Sequence, residues 1–325
     1  MNGFGRIGRI ASRAILQKEN IELVAVNDLT DTSTLAHLFK YDSVHGKYKG
    51  SVSADEKNIF IQGNPVKIFA FKDPSALPWK ELNIDVVIES TGFFLSEEEA
   101  GKHILAGAKK VIVSAPPKGK GIKSVVMGVN ENSLDGTEKI ISNASCTTNC
   151  SAPMVKILDE LWGIEEGFIS TIHAYTGDQR LHDSPHSDLR RARAAAVSII
   201  PTSTGAAKAI TKIFPHLTGK LDGLAFRVPV PSGSLTDFTC TLKKPASRED
   251  INNAFKKCAE GAMKNILEYS EEPLVSIDIV GNPHSCIFDS QLTVAFGKMV
   301  KVVGWYDNEA GYSHRIADLI EFISK

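Results

Sequence analysis

Short apolar runs alternate with amphipathic helical patterns through the first half of the chain. Ile21–Val26 and Ile84–Glu89 are mostly apolar runs typical of buried strands, and the apolar residues of 7–15 share one helical face. Ser96-Glu-Glu-Glu99 forms a capping-box pattern that predicts a helix running to about Gly107. Strands that alternate with helices favour a parallel sheet covered on both faces, which is the doubly wound α/β fold.

The pattern changes at about residue 165. Longer β patterns follow, with fewer helices between them: Phe168–Ala174, Leu224–Pro229, Leu235–Leu242 and Met299–Trp305. They predict an α+β domain with a mainly antiparallel sheet. Tyr312–Ser324 forms a last amphipathic helix. We therefore predict a doubly wound domain over 1–145 and an α+β domain over 146–308.

Composition and charge narrow the possible classes of function. The 325 residues are 42% hydrophobic and 23% charged, with a formal net charge of −1. This near-neutral balance argues against a dedicated nucleic-acid surface and against an anionic membrane. The apolar runs are far shorter than the roughly 18–20 residues of a membrane span, and no signal-peptide pattern opens the sequence.

The cysteines indicate a reducing compartment. There are five of them, an odd number, and no C-x-x-C spacing occurs. The spacing therefore suggests neither a disulfide framework nor a zinc ribbon. We expect a cytoplasmic protein without a bound metal.

A glycine-rich segment at the start of the chain is a candidate dinucleotide site. Gly3-Phe-Gly5-Arg-Ile-Gly8 matches G-x-G-x-x-G, in which the glycines permit a tight turn, a close approach to a pyrophosphate and close helix–strand packing. Asp28 closes the next strand pattern, where a carboxylate binds ribose hydroxyls and repels a 2′-phosphate. The alternative is a glycine turn with an unrelated surface aspartate.

The strand that normally precedes such a glycine motif is missing from the pattern. The sequence opens with Met1-Asn2, directly before the glycines. In a doubly wound sheet that strand is central, and its loss leaves the neighbouring strands without ladder partners. We therefore expect several apolar residues ahead of Met1 in the native protein, which its intact mass would test.

Cys146 and His173 are a candidate nucleophile and base. Cys146 follows a β pattern and precedes a helical one, and a helix N-terminus stabilises a thiolate. Propensity places the helix start near Ser151 because of Pro153, whereas this chemistry needs a start nearer the cysteine. An inert buried cysteine and a structural histidine are the alternatives, and Cys150 fits the former description. Paired, an imidazole accepts the thiol proton.

Six segments, in order along essentially the whole chain, carry a resemblance to one family. They are Asn2-Gly-Phe-Gly-Arg-Ile-Gly-Arg9, Ser145-Cys-Thr-Thr-Asn-Cys150, Thr171-Ile-His-Ala-Tyr-Thr176, Asp188-Leu-Arg-Arg-Ala-Arg193, Ser203-Thr-Gly-Ala-Ala-Lys208 and Trp305-Tyr-Asp-Asn-Glu309. Together they resemble the glyceraldehyde-3-phosphate dehydrogenases. The resemblance implies oxidation of glyceraldehyde 3-phosphate by NAD to 1,3-bisphosphoglycerate, through a thioester on Cys146.

The resemblance also implies a role for each matching catalytic residue. Cys146 is the nucleophile and His173 the general base, with the Cys146 amide and the imidazole stabilising the oxyanion. Thr176 and Arg227 bind the C3 phosphate of the substrate. A second set receives the attacking inorganic phosphate: Ser145, Thr147, Thr204 and Gly205, with Arg191 nearby. A solvated or subunit-facing basic run is the alternative for at least one of the arginines at 190, 191 and 193.

For NAD, the resemblance implies a binding segment of six residues: Gly3, Phe4, Gly5, Arg6, Ile7 and Gly8. Asp28 then binds the adenosine ribose, Asn308 fixes the carboxamide and Tyr312 borders the nicotinamide ring. Residues 309–325 return to the cofactor domain. Ser184 stands where strictly NAD-selective members commonly have leucine, but the charge of Asp28 leads us to predict that NAD is preferred over NADP.

Two other functions stay open at this stage. Erythrose-4-phosphate dehydrogenase is a relative with the same cysteine–histidine chemistry, in which water hydrolyses the thioester. The intact Ser203–Gly205 segment favours phosphate as the acceptor. A non-catalytic nucleotide- or RNA-binding protein is the second alternative, against which the retained Cys146, His173 and Arg227 argue. The resemblance further implies a homotetramer.

Overall fold

The computed structural model describes residues 1–325 and divides into two compact units. Unit 1 comprises Met1–Val125, Glu131–Ala144 and Ser313–Lys325. Unit 2 comprises Val126–Asn130 and Ser145–Tyr312. Each unit contains its own sheet system and is described separately.

Unit 1 is built from eight strands and three helices. The strands are β1 (Ala25–Asn27), β2 (Val52–Ala54), β3 (Asn58–Ile61), β4 (Asn64–Phe69), β5 (Val86–Glu89), β6 (Lys110–Val113), β7 (Lys123–Ser124) and β8 (Ile140–Ser142). The helices are α1 (Arg6–Ile15), α2 (Thr32–Lys40) and α3 (Glu97–Leu105). Strands β5, β6, β8 and β7 are parallel throughout, which confirms the predicted parallel sheet.

Local sequence explains how the helices of unit 1 begin and pack. The Ser96 hydroxyl accepts a hydrogen bond from the Glu99 amide, and the Glu99 carboxylate accepts one from the Ser96 amide. The predicted capping box at α3 is therefore confirmed. In α1 the buried residues Ile10, Ala11, Ala14 and Ile15 form the apolar face that the pattern predicted. Strand β1 is shorter than the predicted Ile21–Val26 because only Lys67–Phe69 of β4 pairs with it.

The sheet of unit 1 is divided into two halves that meet at the N-terminus. One half has the order β1-β4-β3-β2 and the other β5-β6-β8-β7. Asn2 forms single parallel bridges to Asn27 on one side and Glu89 on the other. Below these bridges the facing edges of β1 and β5 border a cavity of about 630 Å³, lined by Met1, Ile21–Ala25 and Ile84–Val86 among others.

A buried polar chain follows the carboxyl ends of β1 and β5. The Glu89 carboxylate accepts Asn2 Nδ2 at 2.5 Å, lies 3.0 Å from His103 Nε2, and accepts the amide and hydroxyl of Thr91. The Trp79 indole donates to His103 Nδ1 at 3.0 Å, so the Nε2 proton is the one that faces Glu89. This network of hydrogen-bonded side chains therefore fixes Asn2, the residue directly before the glycine motif.

Unit 2 is built around one eight-stranded sheet. Its strands are β9 (Ile164–Ala174), β10 (Ile200–Ser203), β11 (Leu221–Val228), β12 (Ser234–Leu242), β13 (Leu267–Ser270), β14 (Cys286–Asp289), β15 (Val294–Phe296) and β16 (Met299–Tyr306). Its helices are α4 (Cys146–Trp162), α5 (Ala206–Ile213) and α6 (Arg248–Glu260), and α7 (Ala310–Ile323) runs on into unit 1.

The order of that sheet is β10-β11-β9-β12-β16-β14-β13, with β15 paired to β16. Only the β11–β9 and β13–β14 pairs are parallel, so the predicted mainly antiparallel sheet is confirmed. Alternate residues of β12 are buried, as expected for a sheet with one covered face. On the other face Phe168 stays 65% exposed. None of the helices is both long and apolar enough to cross a bilayer.

Candidate active site

Cys146 is the first residue of a long buried helix. The Ser145 hydroxyl caps α4 by accepting the Thr148 amide at 3.0 Å. The helix begins at Cys146, so the start near Ser151 that Pro153 suggested is wrong. Eleven of its 17 residues are buried, and this packing outweighs the local cost of proline within the helix. The thiol therefore lies at a helix N-terminus, where the macrodipole favours negative charge.

His173 lies against the thiol although it comes from the sheet. Its Nε2 is 3.4 Å from Cys146 Sγ, and its Nδ1 is 2.7 Å from the carbonyl oxygen of Ala174. If Nδ1 carries the proton and donates it to that carbonyl, Nε2 presents a lone pair to the sulfur. The predicted cysteine–histidine pair is thus brought into contact, in the orientation that a general base requires.

Arg227 lies beside His173 because β11 and β9 pair in parallel with these two residues in register. Its Nη1 is 2.9 Å from Ala174 O, 3.0 Å from Thr176 Oγ1 and 2.8 Å from His173 Nδ1. A guanidinium only donates, so a proton on Nδ1 and the Arg227 Nη1 hydrogen compete for the Ala174 carbonyl. The lone pair of Nε2 toward Cys146 requires the tautomer with the proton on Nδ1.

Burial and the arginine charge keep the cysteine–histidine pair uncharged. Burial, followed by the charge of Arg227, lowers the pKa of His173 from 6.5 to about 3. Burial raises the pKa of the Cys146 thiol, while the charge of Arg227 and bonds from Thr147 oppose that rise. A thiol next to a neutral imidazole is therefore the form present at neutral pH, ready for proton transfer during attack.

A second group of side chains extends from this pair toward the surface. The Thr176 hydroxyl accepts a hydrogen bond from Arg227 Nη1 and donates one to the Asp178 carboxylate. The other oxygen of Asp178 accepts Arg191 Nη1 at 2.5 Å, and Arg191 Nε donates to Thr202 Oγ1 at 3.0 Å. The structure thus brings Thr176, Arg227 and Arg191 together around Asp178.

The other predicted phosphate residues lie at helix N-termini. Thr204 and Gly205 precede α5, where the Thr204 hydroxyl accepts the Ala206 amide at 3.2 Å and a Cβ on Gly205 would meet nothing within 4 Å. The hydroxyls of Ser145 and Thr147 are engaged, with Thr148 and with Tyr306 at 2.9 Å. Thr204 makes no hydrogen bond to Arg191 or Arg227.

The glycine motif of unit 1 has the geometry of a nucleotide loop. Gly3 has φ +88°, and a Cβ there would come within 2.8 Å of the Ser90–Thr91 backbone. A Cβ on Gly8 would collide with the carbonyl oxygen of Gly3. At Gly5, in contrast, a Cβ would meet no atom within 4 Å, so this position faces open space.

Side chains around that loop set its orientation. Asp28 accepts the Phe4 amide at 2.8 Å and the Thr30 amide at 3.1 Å. Arg6 forms an ion pair with Asp42 at 2.5 Å, while its backbone and that of Ile7 form the first turn of α1. In unit 2, the Asn308 carbonyl accepts Ser234 Oγ at 2.9 Å, and Tyr312 is buried.

Two family models match the chain. One describes the glyceraldehyde 3-phosphate dehydrogenase C-terminal domain and matches residues 145–308, and the other describes the NAD binding domain of the same family and matches residues 1–97. The chain belongs to the glyceraldehyde-3-phosphate dehydrogenase family. The resemblance seen in the motifs is therefore confirmed, as is its placing among the NAD-dependent oxidoreductases.

Relatives in this family are similar over the full length of the chain. A glyceraldehyde-3-phosphate dehydrogenase of Mycobacterium avium is 57% identical over 333 residues, covering 100% of this chain and 98% of that relative. Those of Geobacillus stearothermophilus and Streptomyces coelicolor are each 55% identical, covering 100% and 99% of this chain and 97% of each relative.

The residues of unit 1 fit the NAD that this family binds. The open position at Gly5 lets a phosphate approach the backbone, and the first-turn amides of α1 lack intrahelical acceptors while Gly5 gives them no side-chain cap. Asp28 places a carboxylate at the end of β1, next to the same loop. A dehydrogenase of this family needs both features to bind a dinucleotide pyrophosphate and ribose.

Tyr306 and Asp178 belong to the site but were missed by reasoning from the sequence. Tyr306 lies edge-on to His173, with ring centroids 6.0 Å apart, and bonds to Thr147. Asp178 lies two positions beyond the Thr171–Thr176 segment, and this nearness was the available signal. Tyr306 lies within the Trp305–Glu309 segment, but nothing local shows that its ring reaches the histidine.

Proposed function

We propose that this chain oxidises glyceraldehyde 3-phosphate with NAD through a thioester on Cys146 and passes the acyl group to inorganic phosphate. The observation that carries the proposal is the contact between Cys146 Sγ and His173 Nε2 at 3.4 Å, with Arg227 beside the ring. The proton transfers and the carbon–sulfur bond of this route are assigned to these side chains.

The first step forms the carbon–sulfur bond. His173 Nε2 accepts the thiol proton of Cys146 as the sulfur attacks the aldehyde carbon, and the carbonyl oxygen becomes an alkoxide. The Cys146 amide at the start of α4 and the histidine N–H stabilise that oxygen, which then takes the proton. Arg227 and Thr176 bind the C3 phosphate, because a guanidinium and a hydroxyl donate to its oxygens.

The second step oxidises the hemithioacetal to a thioester. NAD bound at the glycine loop would supply the hydride acceptor for this oxidation. His173 takes the hydroxyl proton of the hemithioacetal at Nε2, so that the carbonyl of the thioester forms. The glycine segment Gly3–Gly8 and Asp28 hold the cofactor in unit 1, and Asn308 and Tyr312 are the residues we assign to the nicotinamide end.

The last step releases the product from the enzyme. An oxygen of inorganic phosphate attacks the thioester carbonyl, the carbon–sulfur bond breaks, and Cys146 leaves as a thiolate. The N-terminus of α5 at Thr204 and Gly205, the charge of Arg191 and the first turn of α4 at Ser145 and Thr147 supply the donors for this second anion. The acyl phosphate therefore keeps the energy of oxidation.

An NADH assay with glyceraldehyde 3-phosphate tests the proposal. Formation of NADH should depend on inorganic phosphate, and Cys146→Ser should abolish it. Cys258→Ser, which changes a half-buried thiol outside this site, is the control and should keep activity. Turnover that needs no phosphate would indicate hydrolysis of the thioester, as in erythrose-4-phosphate oxidation. A protein that turns over neither aldehyde would instead fit the non-catalytic binding function.

The domain boundaries and the assembly are further proposals. We assign 1–145 with 309–325 to the cofactor domain and 146–308 to the catalytic domain, which the two compact units support. The exposed apolar side chains Phe168 (65%) and Leu224 (44%) share one sheet face, which supports self-association of the chain, and we propose a homotetramer. Light scattering would measure the assembly.

Five free thiols support a cytoplasmic location.

A further inference from the structure

Asp178 is a carboxylate placed among residues that bind phosphate. One of its oxygens accepts the hydroxyl of Thr176, and the other accepts Arg191 Nη1 at 2.5 Å. Thr176 belongs to the proposed site for the substrate phosphate, and Arg191 to the proposed site for inorganic phosphate. One carboxylate therefore accepts a hydrogen bond from one donor of each proposed phosphate site.

The charge of Asp178 is maintained at neutral pH. Burial alone would raise its pKa, but the Thr176 hydroxyl and the charges of Arg227 and Arg191 outweigh that effect and lower it. Its side chain is 43% exposed and that of Arg191 is 21% exposed, so water reaches the pair and a phosphate in solution can compete for the arginine. The carboxylate thus resembles a resident anion in charge and in its contacts.

Arg191 is held by more than this one contact. Its Nε donates to Thr202 Oγ1 at 3.0 Å and lies 3.7 Å from the Asp188 carboxylate. Arg191 therefore keeps its place when Asp178 is neutralised. Thr176 also keeps its place, because its hydroxyl still accepts a hydrogen bond from Arg227 Nη1 at 3.0 Å.

We propose that Asp178 is a resident competitor that weakens phosphate binding at both sites and so speeds the release of a product that carries two phosphate groups. The inference rests on the proposed function. A phosphate that binds Thr176 or Arg191 must displace the carboxylate from it, and the like charges of the two anions oppose binding. When the product leaves, Asp178 takes both donors back, so the site does not retain the doubly anionic product.

The test uses Asp178→Asn, which removes the charge and keeps the size of the side chain. Its control is Asp183→Asn, because Asp183 pairs at 2.9 Å with Arg193 on the exposed surface of the same segment. Inorganic phosphate is titrated against the rate at which iodoacetamide alkylates Cys146, followed by mass mapping of that peptide. The KM for each phosphate-bearing substrate and kcat are measured in parallel.

We expect Asp178→Asn to lower the phosphate concentration that half-protects Cys146 by about threefold to tenfold, the effect of one screened like charge. KM for phosphate and kcat should both fall, and Asp183→Asn should match the wild type. A midpoint that stays the same or rises would show that Asp178 only positions the site, and would overturn the inference. Wild-type protein without phosphate-dependent turnover would instead overturn the proposed function.

Discussion

His173 Nε2 lies 3.4 Å from Cys146 Sγ, although the two residues are 27 positions apart and come from a strand and a helix. We expect His173→Asn to lower kcat by about 10²- to 10⁴-fold, the usual contribution of a general base. NADH formation under saturating substrate measures this loss. His216→Asn, at an exposed histidine bonded to Asp159, is the control. Near-normal turnover of the His173 variant would contradict the assigned role.

The charge of Arg227 should set the pH at which Cys146 reacts. Burial raises the pKa of the thiol and Arg227 opposes that rise, so the thiol is protonated at neutral pH and its thiolate fraction grows as pH increases. Arg227→Gln should therefore move the midpoint of the alkylation profile to higher pH. Iodoacetamide rates between about pH 6 and pH 10 measure it. An unmoved or lower midpoint would contradict the effect, and Arg193→Gln is the control.

Asp28 should decide between NAD and NADP. Its carboxylate lies at the end of β1, where it accepts the Phe4 amide of the glycine loop at 2.8 Å. Asp28→Ser should raise the ratio of kcat/KM for NADP to that for NAD by about tenfold or more, because a like charge no longer opposes the 2′-phosphate. Asp31→Asn, at the exposed N-cap of α2, should leave the ratio unchanged. A wild type that prefers NADP would refute the NAD prediction.

The cavity between β1 and β5 should accept an added strand. Continuing the register of Asn2 backwards places the residue before Met1 between Ala25 and Val87. Four apolar residues added before Met1 should raise Tm by about 5 °C, whereas four Gly/Ser residues should not. Equal Tm values for both extensions would exclude strand addition.

Much of the fold follows from local pattern. The capping box at Ser96 forms as its sequence predicts, because it is completed within four residues. The start of α4 at Cys146 could not be read from propensity, since it depends on packing that buries Pro153 in unit 2. The end of β1 likewise depends on which distant strand pairs with it.

The site divides in the same way. Cys146, His173 and Arg227 stand in short motifs that the sequence displays, and the structure brings them into contact. The contact of Asp178 with Arg191, 13 positions away, joins the two phosphate sites that we propose, and that approach is set by tertiary structure. Tyr306 is 159 positions from Thr147, and no local pattern could have paired them.

Asn2 links two strands of unit 1 to the glycine loop. It forms parallel bridges to Asn27 and to Glu89, and the next residue, Gly3, donates its amide to the Asn27 carbonyl. A substitution at Asn2 therefore disturbs the ends of both strands and the nucleotide loop together, so local stability of the strands and binding of the dinucleotide are coupled through one buried side chain.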